Sequence, residues 1–181
     1  PEAHVEAPTA GSVVIAGILL KLGGYGFLRF VLPIFPVATI YFLPLVLTIG
    51  CVSVLYSSLT TLRQVDLKKI IAYSSVAHMG LVTIGLFSNN FQGILGSIML
   101  MISHGVVSGA LFLCIGILYE RHQTRIIKYY SGLVHSMPLF SVCFIIFTLG
   151  NICLPATSSF IGEILIFIGC FEANSWAALL S

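Results

Sequence analysis

The chain has 181 residues, of which 58% are hydrophobic and 8% charged, with a mean hydropathy of +1.08 and a formal net charge of +2. So apolar a composition excludes a water-soluble domain, and apolar runs far longer than the ~10 residues of a barrel strand exclude a membrane β-barrel, leaving an all-α integral membrane bundle of about five transmembrane helices. The basic residues fall into two loop clusters rather than one face, so nucleic acid is not an expected partner and the lipid bilayer is.

Residues Pro1–Pro8, "PEAHVEAP", are too polar and broken to span a bilayer. No basic region and cleavage site precede the first span, so no signal peptide is read, and the start reads as internal to a longer or split subunit. The first span is expected over about 9–31, with Thr9 and Ser12 as cap-like residues, Pro33 and Pro36 beyond its end, and Lys21 near its middle. A second span follows over about 37–59 and tolerates Pro44, because neighbouring helices can satisfy the carbonyl it frees. After the polar loop "TTLRQVDLKK" comes a third span, about 70–87, carrying His78 and ending at "SNNFQ".

The fourth span, about 93–119, is the longest; it carries His104 and places Gly105 and Gly109 at a spacing that lets another helix approach closely. The basic loop "ERHQTRIIKYYSGLVHS" ends it. From Pro138 the apolar stretch is too long for one straight span, and "GNICLPATSS" interrupts it. A discontinuous helix over about 138–171, unwound in the middle and with Glu163 opening its second half, fits this pattern; two short spans joined by a surface loop are the alternative. Arg63, Lys68, Lys69, Arg121, Arg125 and Lys128 all lie in the loops after the second and fourth spans, which should therefore share one side of the membrane, the cytoplasm or matrix. Arg29 is the dissenter and snorkels in this scheme.

Four ionisable residues remain inside the spans: Lys21, His78, His104 and Glu163. A charge at mid-membrane costs roughly 2.5–3.5 kcal/mol on insertion scales, so such residues must be paired, neutral or functional. At similar depth they would form a proton relay across the bundle. Blander readings stand beside it: Lys21 as a static partner of Glu163, and His78 as a core histidine bonded to Ser74 or Ser75. Two histidines on separate helices also admit axial ligation of a b-type haem, although a second pair is not evident. Cys51, Cys114, Cys143, Cys153 and Cys170 lack CxxC or metal spacing and read as small buried hydrophobes, so no metal site and no resident cofactor is expected.

The stretches "PEAHVEAPTAGSVVIAGILLKLGGYGFLRF", "DLKKIIAYSSVAHMGLV", "ISHGVVSGALFLCIGILYERHQTR" and "LPATSSFIGEILIF" resemble the chain 4 family of membrane-arm subunits of mitochondrial NADH-ubiquinone oxidoreductase, respiratory complex I. They are closer to it than to the chain 2 and chain 5 families or to Mrp-type cation/proton antiporters. The resemblance implies two inverted repeats, each with a broken helix, this chain supplying the last helix of the first repeat and most of the second within one transmembrane domain, 1–181. It implies that Lys21, His78, His104 and Glu163 carry protons, with His4, Asp66 and Lys68 structural or on an access path. FMN, iron-sulfur clusters and ubiquinone are then expected in other subunits of the complex, in the mitochondrial inner membrane. The family's first-repeat glutamate and lysine lie upstream of "PEAHVEAP", so an upstream half is an expected partner. A subunit of a related cation/proton antiporter or membrane-bound hydrogenase is the alternative.

Overall fold

The computed structural model describes residues 1–173 and 175–180. Four of the described helices are long and apolar enough to cross a membrane: Thr9–Ile34, Pro36–Leu62, Leu67–Phe87 and Phe91–His122. A short helix, Glu2–Glu6, precedes them. Two shorter helices, Pro138–Asn151 and Ser158–Ala173, make a further crossing, and Ser175–Leu180 follows.

The spans run a few residues past the expected ends, because local chemistry accommodates what a simple pattern treats as a stop. In the first span, the wider π-turn Phe27–Val31 leads into Leu32–Ile34, which contains Pro33; a π-turn relaxes the backbone ladder that a proline ring would otherwise break. Thr9 and Ser12 do not cap. The N-cap is Pro8, without a side-chain bond, and the Ser12 hydroxyl donates backward to the His4 carbonyl at 2.8 Å, tying Glu2–Glu6 to the first span. Gln123 ends the fourth span in a left-handed turn, φ 52°, where its N–H reaches the Tyr119 carbonyl at 2.8 Å.

The third and fourth spans form the centre. Of their most apolar stretches 56% is buried, against 17% and 22% for the first and second spans. The second span leaves Val37, Tyr41, Val52 and Leu59 exposed, as a lipid-facing helix does, and the hydroxyls of Thr39, Thr48, Ser58 and Thr61 bond carbonyls three residues back. Backbone-directed bonding of this kind lets polar side chains face hydrocarbon.

The loops after the second and fourth spans meet. Asp66 pairs with Ile126 in an isolated antiparallel bridge, with Leu67 N–H on Arg125 C=O at 3.0 Å and Ile127 N–H on Val65 C=O at 3.2 Å. Both basic loops therefore lie on one side, as the charge pattern requires. Glu2–Glu6 joins them there through Arg125 Nη1 on the Val5 carbonyl (2.9 Å) and Lys68 Nζ on the Ala7 carbonyl (2.8 Å).

The discontinuous helix crosses in one direction. Its first half begins beside Arg121, whose Nη1 contacts Met137 Sδ on the basic side. Its second half ends where Asn90, opening the fourth span on the other side, donates to Gly169 C=O and to the Glu172 carboxylate, each at 3.1 Å. Two short spans with a surface loop are thus ruled out. Glu163 does not open the second half: that helix begins at Ser158 and Glu163 lies in its second turn.

Two apolar clusters build the interior. Ala16, Ile71, Ala72, Leu111, Phe112 and Ile115 pack toward the basic side, while a larger group including Leu47, Val82, Ile84, Leu100, Met101 and Ile166 packs toward the other. The sequence order on each helix places Lys21, His78 and His104 between these clusters.

Candidate functional site

Each site residue is held by its own helix at this seam. Just ahead of Lys21, the π-turn Ile15–Leu19 loosens the first span, and Lys21 Nζ donates to the Ala16 carbonyl at 2.5 Å. The same Nζ donates to His104 Nδ1 at 2.7 Å. This approach depends on Gly105: a Cβ there would lie 3.1 Å from the Gly17 carbonyl and 3.5 Å from Lys21 Cε, so the helix that approaches closely is the first span, and that contact joins lysine to histidine.

His104 is 3% exposed. Its ring lies against that of His78, with centroids 5.3 Å apart and a tilt of 51°, which leaves no slot for a porphyrin between them. The His104 Nε2 atom is buried without a hydrogen-bond partner. Beside it lies a cavity of about 10 Å³ lined by His78, His104, Asn151, Cys153 and Ser159 among others, room for about one water. His78 Nδ1 in turn stands 3.2 Å from Glu163 Oε1, both side chains mostly buried. All four residues selected from the sequence thus come together in the order Lys21, His104, His78, Glu163.

Neither bland partner is found. Lys21 and Glu163 are separated by the two histidines, and Ser74 bonds the Ile71 carbonyl and receives Asn151 Nδ2 (3.3 Å) instead of His78.

The unwound centre is residues 152–157, with Cys153 at φ 56° and Ala156 at φ 83°. Neither is glycine, so both are strained. Ser159 Oγ donates to the Gly150 carbonyl at 2.6 Å and clips the two halves together. Asn151 and Ser159 were not singled out from the sequence as site residues. The signal was present in the polar interruption "GNICLPATSS", but which of its side chains turn inward is set by the break itself.

His4, Asp66 and Lys68 sit apart, on the basic side, and none is hydrogen-bonded to the four. His4 stacks on Phe112 with centroids 5.4 Å apart, and burial, with the nearby Lys21 and Lys68 cations, draws its pKa below the ordinary histidine value. Asp66 faces Lys69 at 3.8 Å. Lys68 is 2% exposed and holds the Ala7 carbonyl.

A family described as NADH:quinone oxidoreductase/Mrp antiporter, transmembrane, matches residues 1–181. The chain is 67% identical over 181 residues to NADH-ubiquinone oxidoreductase chain 4 of Marchantia polymorpha and 66% identical to the Arabidopsis thaliana protein of the same name. In both cases the match covers 100% of this chain and 37% of the relative, so the chain spans little more than a third of their length. Among solved structures it is similar to a chain of respiratory complex I from Thermus thermophilus with bound NADH, with TM-score 0.90 and 35% identity over 96% of this chain and 37% of that one. It shares the fold of a chain of the Mrp complex from Dietzia sp. DQ12-45-1b, with TM-score 0.91 and 24% identity over 98% of this chain and 33% of the other.

Proposed function

The chain belongs to the NADH:quinone oxidoreductase/Mrp antiporter transmembrane family, and from that premise we propose that it moves protons within the membrane arm of an NADH:ubiquinone oxidoreductase. Redox chemistry and its cofactors belong to other subunits. Its partners are the other membrane-arm subunits, including the upstream portion of the same subunit, in the mitochondrial inner membrane. The named relatives at 67% and 66% identity favour this over a cation/proton antiporter, for which likeness at 24% supports the fold alone.

The observation that carries the proposal is the row of exchangeable groups, interrupted only by a cavity of about one-water size. Lys21 Nζ gives a proton to His104 Nδ1 along the 2.7 Å hydrogen bond. An imidazole accepts at one nitrogen and releases from the other, so His104 Nε2 passes the proton on through the adjoining water-sized cavity to His78. His78 Nδ1 delivers it to Glu163 Oε1, 3.2 Å away. Each transfer moves one proton over a short distance, and the residues keep their places. His4, Asp66 and Lys68 hold the basic-side collar through which protons reach the seam.

Replacing Lys21 in the intact assembly tests this. Lys21→Ala removes the first carrier, and Lys21→Arg keeps the cation but not the ability to release a proton. Both are expected to lower proton pumping per NADH by about 100-fold or more, the scale of a lost acid–base group. Pumping and turnover unchanged in Lys21→Ala would refute the role, and wild-type pumping in Lys21→Arg would reduce Lys21 to a fixed charge.

A further inference from the structure

We infer that His78, Cys153 and Glu163 form a binding site for a thiophilic divalent cation of the zinc class, and that its occupancy blocks the relay at its Glu163 end. The blocking half rests on the proton-relay reading; the binding half stands on geometry alone. The three residues come from the third span, the unwound centre and the second half-helix, and their ligand atoms all lie within 4.8 Å of one another. His78 Nδ1 and Glu163 Oε1 are already 3.2 Å apart. Metal–nitrogen and metal–oxygen bonds of about 2.0 Å and a metal–sulfur bond of about 2.3 Å, in tetrahedral geometry, place such atoms roughly 3.3–3.5 Å apart. The site therefore has to close by at most about 1.5 Å around Cys153, which belongs to the break.

Two further observations point the same way. His78 Nδ1 is buried and, although 3.2 Å from Glu163 Oε1, makes no hydrogen bond of good geometry. The Cys153 thiol is not in a disulfide and is 8% exposed, and it already interacts with the Glu163 carboxylate and the Ser159 hydroxyl as well as reaching the Asn151 carbonyl at 4.0 Å. The water-sized cavity that touches His78 and Cys153 offers the fourth position to a solvent ligand. One imidazole, one thiolate and one carboxylate suit zinc or cadmium, whereas magnesium and calcium require an oxygen cage this site does not have. On binding, the Cys153 thiol gives its proton to solvent and its sulfur lone pair to the metal, while His78 binds through Nδ1 and Glu163 through a carboxylate oxygen. The bond between metal and Nδ1 then replaces the path by which a proton passes from His78 to Glu163.

The test uses the intact assembly carrying the wild-type chain, Cys153→Ser, Cys153→Ala, or Cys143→Ser as a distant thiol control, with Zn²⁺ as the probe. Zinc stoichiometry and the zinc–sulfur signal in zinc-edge X-ray absorption report binding; NADH-driven pumping, normalised to each variant's zinc-free rate, reports blocking. Wild type and Cys143→Ser should hold about one more zinc per assembly than either Cys153 variant. The half-inhibitory zinc concentration should rise by about tenfold or more in both Cys153 variants. Equal stoichiometry and equal spectra across all four would overturn the site. A Cys153-dependent zinc that leaves pumping intact would overturn the blocking half, and the Lys21→Arg result then says whether the relay falls with it.

Discussion

Gly162→Ala probes how closely the proposed relay depends on helix contact. A Cβ at Gly162 would meet Leu100 N at 2.9 Å and Leu100 Cα and Cβ at 3.1 Å, and the first two are backbone atoms of the fourth span that no rotamer change can move. Ordinary carbon contacts begin near 3.4 Å, so the second half-helix must retreat by roughly 0.3–0.5 Å. Overpacking of this kind costs about 1–3 kcal/mol. Glu163 is the next residue, and the same retreat would lengthen its 3.2 Å approach to His78. Because a misplacement of about 1 Å can cost 100-fold in a positioned reaction, half that distance predicts about a tenfold loss. Pumping per NADH in the reconstituted assembly, together with the thermal midpoint of the subunit, provides the readout. Gly26→Ala is the control: nothing lies within 4 Å of a Cβ there, and alanine in place of glycine should hold or raise stability by up to about 1 kcal/mol. Wild-type pumping and an unchanged midpoint in Gly162→Ala would refute the claim that backbone contact sets the distance between His78 and Glu163.

Ser159→Ala removes the 2.6 Å clip to the Gly150 carbonyl and should cost about 1–2 kcal/mol, seen as faster hydrogen exchange at residues 152–157; unchanged exchange would mean that the clip does not hold the break. Arg125→Lys cannot both stack over Tyr119, where the guanidinium carbon lies 4.5 Å from the ring centroid, and reach the Val5 carbonyl at 2.9 Å. Faster exchange confined to Glu2–Glu6 and the paired loops is the expected result. His4 has a folded pKa below its unfolded value, chiefly through burial. As pH falls through the unfolded value of about 6.5, the unfolded chain binds a proton that the folded one refuses, and stability drops. His4→Gln should flatten this loss below pH ~6.5 in a thermal series, and an undiminished slope would exclude His4 as its source.

The spans and the broken helix are legible in the sequence because bilayer thickness imposes length and apolarity directly. The four residues of the proposed relay are legible for the converse reason, that a charged residue among "GILLKLGGYG" stands out against its cost. Their order is not. Lys21 to His104 to His78 to Glu163 follows neither chain order nor spacing, and arises because Gly105 admits the first span while the break turns the last helix toward the third. Cys153 was read as a small hydrophobe on spacing alone, since its neighbours in space come from residues 78 and 163. The capping role assigned to Thr9 and Ser12 failed because Pro8 already fixes the helix start, leaving the Ser12 hydroxyl to bond backward.

The seam between the two apolar clusters also bears on the choice between the proposed relay and a static ion pair. Among the described residues no carboxylate lies within salt-bridge distance of Lys21; its ammonium rests on a carbonyl and an imidazole. A purely structural lysine in this position could be neutralised by a direct carboxylate partner, because a buried charge left uncompensated is costly. Glu163 lies in the bundle interior, yet the fold inserts two aromatic bases between the acid and the cation. Such spacing forgoes the attraction of a contact pair and leaves His104 Nε2 and Asn151 Oδ1 buried without protein partners, beside a cavity of one-water size. Groups that both give and accept protons, held in sequence at this expense, fit the proposed relay better than a contact ion pair.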